Sequence, residues 1–319
     1  MIFEAIVAIL VPILVLIIGL ALMAFSSDTA VEHSVSIASA LGASPLMIGL
    51  VLVSIGTDLP EVANSIISST VGHGDINVGD SLGSILAQIT LVFGLLPFLF
   101  RTFKVKRKEI LVLGACEVLA LIIAVSMAEK GYITRMNALL LVASWLIFML
   151  IIRSVAEKGA MEKKHMARST DQRYFYHFRR ATLGFVGVAI GAYVVIQSVI
   201  ALSAVFNISE YLISFFLVAI GTSLPELVVN LAAIRKNQYE LTIGNTIGSC
   251  IFDACFSIGI GPLIFPIAVS GRLATITGSY AILVSIAVIL TLALRERVDK
   301  ISGVLFIFLY SLSYLTLRA

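Results

Sequence analysis

The chain carries the stretch IGTDLPE at residues 55–61 and, as IGTSLPE, again at residues 220–226. Each stretch sets a threonine and a glutamate four residues apart. Thr57 with Glu61, and Thr222 with Glu226, therefore share one helix face. A second repeated stretch is VGDSLGS at 78–84 and IGNTIGS at 243–249. Gln88 and Asp253 stand four residues beyond its closing serines, so Ser84 with Gln88 and Ser249 with Asp253 share faces in the same way. Hydroxyls, carboxylates and an amide, with no His, Cys or Met among them, form a ligand set for hard cations. Calcium takes about six to eight oxygens in loose geometry. Sodium also accepts hydroxyl and carbonyl oxygen. Magnesium, which dehydrates reluctantly, fits less well.

Pro60 and Pro225 each precede a glutamate. A proline lacks an N–H and crowds the carbonyl four residues back, here those of Gly56 and Gly221. Each helix is expected to break there and to resume at the proline, which suits a first helical turn. The carbonyls of Ser54 and Ala219, one turn earlier, are the best-placed additional ligands.

The elements that hold these residues must lie in a membrane. Of 319 residues, 59% are hydrophobic and 13% charged, and the mean hydropathy is +1.06. A soluble domain is about half apolar and a quarter charged, so soluble-enzyme classes are excluded. A crossing helix needs about 20 apolar residues. Ten such segments read as 2–25, 45–70, 76–100, 109–128, 133–152, 181–205, 210–234, 241–268, 274–294 and 300–317. The first is too long, and lacks the basic start, for a cleaved signal peptide. Freed carbonyls in hydrocarbon persist only where protein, water or an ion satisfies them, and acids there are costly and functional.

Shifting the sequence by 165 residues aligns its halves without a gap; Gly94, for example, falls on Gly259. Five crossings per copy is an odd number, so the second copy must be upside down, the plan of secondary transporters. The expected fold is an all-α membrane protein. It has ten transmembrane helices in two inverted five-helix repeats, 1–152 and 181–319, with helices broken at the midplane. Gly79, Gly83, Gly244 and Gly248 would let helices approach closely. Inversion would bring Glu61, Glu226, Asp253, Gln88 and the four hydroxyls into one oxygen cage.

Of the 22 Lys and Arg, 18 fall on one side of this arrangement. The basic side is cytoplasmic, which puts both termini outside, in a cell inner membrane or plasma membrane. Residues 153–180 form a basic cytoplasmic linker that can touch anionic lipid. The net charge of +3 reflects orientation signals rather than nucleic-acid binding. Cys116, Cys250 and Cys255 lie in apolar segments with no disulfide or metal spacing. Glu117 has no repeat partner and reads as a buried protonated acid, His73 and Asp75 as an outer turn, and Trp145 as a packing residue. The serines of SSDTAVEHSVSIAS could line a path.

The repeated GTDLPE/GTSLPE and GDSLGS/GNTIGS blocks resemble the two alpha-repeats of the cation/calcium exchanger superfamily, closest to its prokaryotic sodium/calcium exchangers. The likeness spans essentially the whole chain. It implies electrogenic antiport by alternating access, several sodium ions in for one calcium out. It implies no cofactor and no obligatory protein partner. Glu61 and Glu226 match the motif glutamates, and Thr57, Thr222, Ser223, Ser84 and Ser249 match family ligands. The first and sixth helices resemble a sliding gate pair. The chain departs from the pattern at Asp58, where the family has the serine kept at Ser223. It departs at Asp80, where the family has the asparagine kept at Asn245, and at Gln88, where Asn or Asp is usual. If Asp58 points inward, a fourth carboxylate joins the site and calls for a proton or an extra cation; otherwise it is a hydrated kink residue. The alternatives are a proton-driven antiporter on the same scaffold and a passive cation channel. A channel should lack two inverted broken-helix halves. An intramembrane hydrolase would need a credible His or Lys partner for a serine among the repeated polar segments, and 54–61, 78–88, 219–226 and 243–253 hold no His or Lys.

Overall fold

The computed structural model describes residues 2–40, 54–100, 102–157, 174–235 and 239–316. In chain order its helices are α1 (Ile2–Ala40), α2 (Ser54–Thr57), α3 (Leu59–Val71), α4 (Gly74–Leu86), α5 (Phe93–Leu99), α6 (Arg107–Ala128), α7 (Arg135–Glu157), α8 (Tyr174–Phe206), α9 (Glu210–Ile213), α10 (Ala219–Thr222), α11 (Leu224–Arg235), α12 (Tyr239–Phe252), α13 (Ile258–Ile264), α14 (Gly271–Arg295) and α15 (Lys300–Thr316). Helix predominates because a backbone in hydrocarbon must satisfy its own polar groups. Among the described residues, 8 helical spans are long and apolar enough to cross a membrane, and Lys300–Tyr314 is a shorter apolar helix. The expected crossing at 45–70 lies partly outside the described residues; α2 and α3 are its described part. Ile17, Ile18, Phe25, Leu150, Leu283 and Leu294 are exposed, as befits a surface facing lipid. This is a multi-pass helical membrane protein.

Two helices run longer than their apolar cores. The first, expected over 2–25, continues to Ala40. No glycine or proline between residues 26 and 40 stops it. The SSDTAVEHSVSIAS stretch is therefore helix, and Ser36 bonds back to the Glu32 carbonyl at 2.9 Å. Likewise α8 begins at Tyr174, inside the expected linker, and α7 ends at Glu157. The middle of that linker, 158–173, lies outside the described residues.

The breaks fall where proline chemistry puts them. Asp58, between α2 and α3, has φ −85° and ψ 8°. Ser223, between α10 and α11, has φ −82° and ψ 3°. Both sit in the sparsely allowed bridge region. The helix resumes one residue earlier than expected, at Leu59 and Leu224, with the proline second in the new helix. Its missing N–H costs nothing there, because first-turn N–H groups have no helical acceptor.

Two further rods carry a single widened turn. A π-helical segment, Ala87–Val92, joins α4 to α5, and another, Asp253–Ser257, joins α12 to α13; a third, Ser214–Val218, joins α9 to α10 on the second broken rod. Such insertions recur at functional sites. Close packing of the first rod depends on its glycines. A Cβ on Gly83 would stand 2.2 Å from the Phe215 carbonyl oxygen, and one on Gly79 2.5 Å from that of Tyr211. The expected close approach holds at these two positions. At Gly244 and Gly248 no described atom lies within 4 Å of where a Cβ would stand.

Two antiparallel ribbons tie the halves together. β1 (Phe103–Lys104) pairs with β4 (Arg297–Val298), with Phe103 opposite Val298. β2 (Tyr132–Ile133) pairs with β3 (Ile267–Ala268), with Ile133 opposite Ile267. One crossing helix, α6, separates β1 from β2, and α14 separates β3 from β4. The ribbons therefore close opposite ends of the bundle.

Candidate functional site

The two breaks and the π-turns at Ala87–Val92 and Asp253–Ser257 meet in the buried middle of the molecule. Asp58, Glu61, Asp80, Glu226 and Asp253 are each no more than 1% exposed. Ser84 on α4 stands at their centre. Its hydroxyl lies 3.4 Å from Glu61 Oε1, 3.2 Å from Thr222 Oγ1 and 3.5 Å from the Ala219 carbonyl oxygen. Thr222 also donates to Asp80 Oδ1 at 3.1 Å, and Asn64 Nδ2 donates to Asp80 Oδ2 at 2.6 Å. One helix stripe thus faces α10 across the site, because Asp80, Ser84 and Gln88 are spaced four apart.

At the π-turns, Gln88 Nε2 donates to Asp253 Oδ2 at 3.1 Å, and Ser257 Oγ donates to Asp253 Oδ1 at 3.1 Å. Asp58 is not turned to water. It is fully buried and lies against Glu226 and Ser249. Glu61 in turn has Glu226, Asp253, Asp80 and Asp58 as charged neighbours.

Among the described residues, Glu61 Oε2 and Ser223 Oγ have no hydrogen-bond partner, and Asp58, Glu226 and Ser249 have only one another. No ion pair among the described residues reaches any of the five acids. A buried charge without a partner costs several kcal/mol. The positive charge must therefore come from outside, as cations or protons. No group of three acid, imidazole or thiol side chains among the described residues converges tightly enough to hold a metal by itself. An ion here would need hydroxyl and carbonyl oxygens between the acids. That composition suits calcium and sodium; the Cys250 thiol beside it donates to Gln88 Oε1 at 3.5 Å.

The sodium/calcium exchanger protein family model matches residues 11–153 and 180–318. The chain belongs to this family. It is 29% identical over 304 residues to the membrane protein MJ0091 of Methanocaldococcus jannaschii, covering 94% of this chain and 96% of that one. It is 27% identical over 339 residues to the sodium/calcium exchanger MaX1 of Methanosarcina acetivorans, covering 94% and 96% respectively. Its fold is similar to solved structures of the sodium–calcium exchanger NCX_Mj, with a TM-score of 0.64 at 27% identity over 97% of this chain and 99% of that one. As a member of this family the protein is a cation antiporter of the calcium-exchanger type, not an enzyme.

Of the residues singled out from sequence, Glu61, Ser84, Thr222 and the Ala219 carbonyl meet at one point. Asp58, Glu226 and Ser249 form a neighbouring group. Gln88 and Asp253 bridge the π-turns, and Ser223 lies buried at the second break. Thr57 is buried on α2. Ser54 heads α2, one turn before the break. The carbonyl of Gly56, freed by Pro60, accepts from the Ser27 hydroxyl of α1 at 2.7 Å. The Ala219 carbonyl accepts from Ser223 N at 3.2 Å and lies 3.3 Å from Thr222 Oγ1.

Asp80 and Asn64 were not singled out as site residues, yet their spacing was readable. Asp80 continues the stripe of Ser84 and Gln88, and Asn64 continues that of Thr57 and Glu61. Glu117 is buried and accepts from Ser285 Oγ at 2.6 Å. Trp145 packs on Phe252 and Phe256, with ring centroids 5.5 and 5.1 Å away. His73 meets Glu210 at 2.7 Å, and Asp75 holds Ser270 at the start of α14, so this turn is a tie between elements.

Proposed function

We propose that this protein exports calcium in exchange for sodium by alternating access. The observation that carries this reading is the set of five buried acids, with no basic partner among the described residues, interleaved with hydroxyls and a carbonyl. Glu61, Glu226, Asp253, Gln88, Thr57, Thr222, Ser84, Ser249 and Ser223 would share the ions with the carbonyls of Ser54 and Ala219. Asp58 faces the same space and would be a further ligand.

The scaffold would be ten crossings in two inverted repeats, 1–152 and 181–319. Gln88 touches Asp253 and Cys250 lies 3.8 Å from the Ile85 carbonyl oxygen, each pair exactly one repeat apart in sequence. Residues beside a two-fold axis meet their own equivalents, so both contacts support an internal two-fold. The ribbons support it too: β4 lies one repeat beyond β2 and β3 within one residue of one repeat beyond β1, and each pairs across the halves. Residues 153–180 would be the cytoplasmic linker, and both termini would face outward, on the strength of the 18 basic residues on one side.

A second reading, proton coupling, is favoured by Asp58 and Asp80. They add two acids to the family set, and a proton neutralises a buried acid as well as a cation does. Calcium uptake into proteoliposomes under an imposed sodium gradient or an imposed proton gradient separates the two.

A further inference from the structure

We infer that Ser27 is a positioning residue that holds the transporter in one of its two access states. The hydroxyl of Ser27, on α1 and 1% exposed, donates to the Gly56 carbonyl at 2.7 Å. That carbonyl is the one Pro60 deprives of its helical partner. The bond therefore joins a gate helix to the break that presents Thr57, Asp58 and Glu61. Without it the carbonyl would be buried and unsatisfied, which costs more than an ordinary hydrogen bond contributes.

Among the described residues the second half has no such bond. Ala192 stands one repeat beyond Ser27, has no hydroxyl, and packs among Leu16, Met23, Val195 and Ile196. Gly221, the counterpart of Gly56, instead meets the Leu20 side chain of α1. The inference rests on the two-fold, alternating-access reading. In such a machine the second state is reached when the halves exchange environments. Ser27 would then occupy an apolar setting like that of Ala192 now, and the Gly56 carbonyl would lose its donor. No equivalent bond forms at Gly221 in return. The hydrogen bond thus stabilises only the arrangement seen here. The antiparallel α1–α8 pair can slide as a unit because glycines bring its backbones together: a Cβ on Gly184 would stand 2.6 Å from Ala30 N, and one on Gly191 3.0 Å from Met23 N.

Ile67 of α3 packs beside the α1–α8 apolar cluster and reports whether that pair has moved away. The test is the labelling rate of Ile67→Cys by a hydrophilic thiol reagent in the otherwise unaltered protein, whose own cysteines are buried. Adding Ser27→Ala should raise the rate about five- to thirtyfold, because labelling follows the minor open population. Ser27→Thr, which keeps the hydroxyl, should restore the parent rate. An unchanged rate in Ser27→Ala overturns the inference. So does an equal rise in Ser27→Thr, which would make the effect one of packing. Labelling requires no transported ion, so it reads the gate even if calcium proves not to be the cargo.

Discussion

Gln88 and Asp253 occupy the same place in the two halves of the sequence, and their side chains touch at 3.1 Å. An amide opposite an acid makes a hydrogen bond where two acids would repel. Gln88→Asp should therefore lower the melting temperature in detergent. The exchange Gln88→Asp with Asp253→Gln keeps one acid and one amide in contact and should recover much of the loss. The coupling expected for such a contact is roughly 0.5–3 kcal/mol. Simple additivity of the two single variants would show that the side chains do not meet.

Glu61→Gln and Glu226→Gln should each reduce calcium transport to background while the protein remains folded and monodisperse. The two acids come from opposite breaks but are charged neighbours in one site, so neither replaces the other. Near-normal flux in either variant would falsify a shared cage.

Asp58→Ser copies Ser223 and removes one of five buried acids. Fewer acids hold less positive charge, so the variant should carry fewer cations, or fewer protons, per calcium. The coupling ratio, read from the gradient at which net calcium flux reverses, checks this. Proton competition should weaken in parallel, flattening the dependence of transport on pH. An unchanged ratio together with an unchanged pH profile would remove Asp58 from the ion-binding set.

Cysteines placed between residues 153 and 180 should react with an impermeant reagent only in inside-out vesicles. The basic bias motivates this orientation. Labelling in intact cells would reverse the topology while leaving the repeat argument untouched.

Asp299 lies outside the crossings, just before α15. Burial alone would raise its pKa. The Ser302 backbone N–H and the Arg295 guanidinium outweigh that and hold it at about 2. Its unfolded value is about 3.9. The folded value is the lower one, so the stability this charge contributes is present above about pH 4 and lost as pH falls through about 2. Asn still caps a helix, so Asp299→Asn should be less thermostable than wild type at neutral pH, with the gap narrowing steadily from about pH 4 down to about pH 2. A gap of the same size at pH 2 as at neutral pH would point to packing and not to charge.

Much of this was legible in the chain because the informative residues are out of place in hydrocarbon. Pro60 and Pro225 located both breaks to within a residue, since a missing N–H acts locally. The spacing of four placed Ser84 with Gln88 and Ser249 with Asp253. Periodicity says which helix face a residue occupies, but not what that face meets. The inward turn of Asp58 toward Glu226, the Ser27 cap on Gly56 and the approach of Asp80 to Thr222 are all contacts between distant segments. The π-turns were also hidden, because a one-residue widening leaves the apolar run unbroken. The length of α1 was underestimated because its polar end lacks a stop signal and apolarity was taken as its boundary.

The central claim is that this site exchanges calcium against a monovalent cation. Its most direct test is calcium uptake into proteoliposomes of purified protein, loaded with sodium and diluted into sodium-free medium. The account predicts uptake that requires the sodium gradient, stops when the gradient is collapsed by an ionophore, and is absent in Glu226→Gln. Calcium entry that ignores both sodium and proton gradients would be passive flux, and would contradict it.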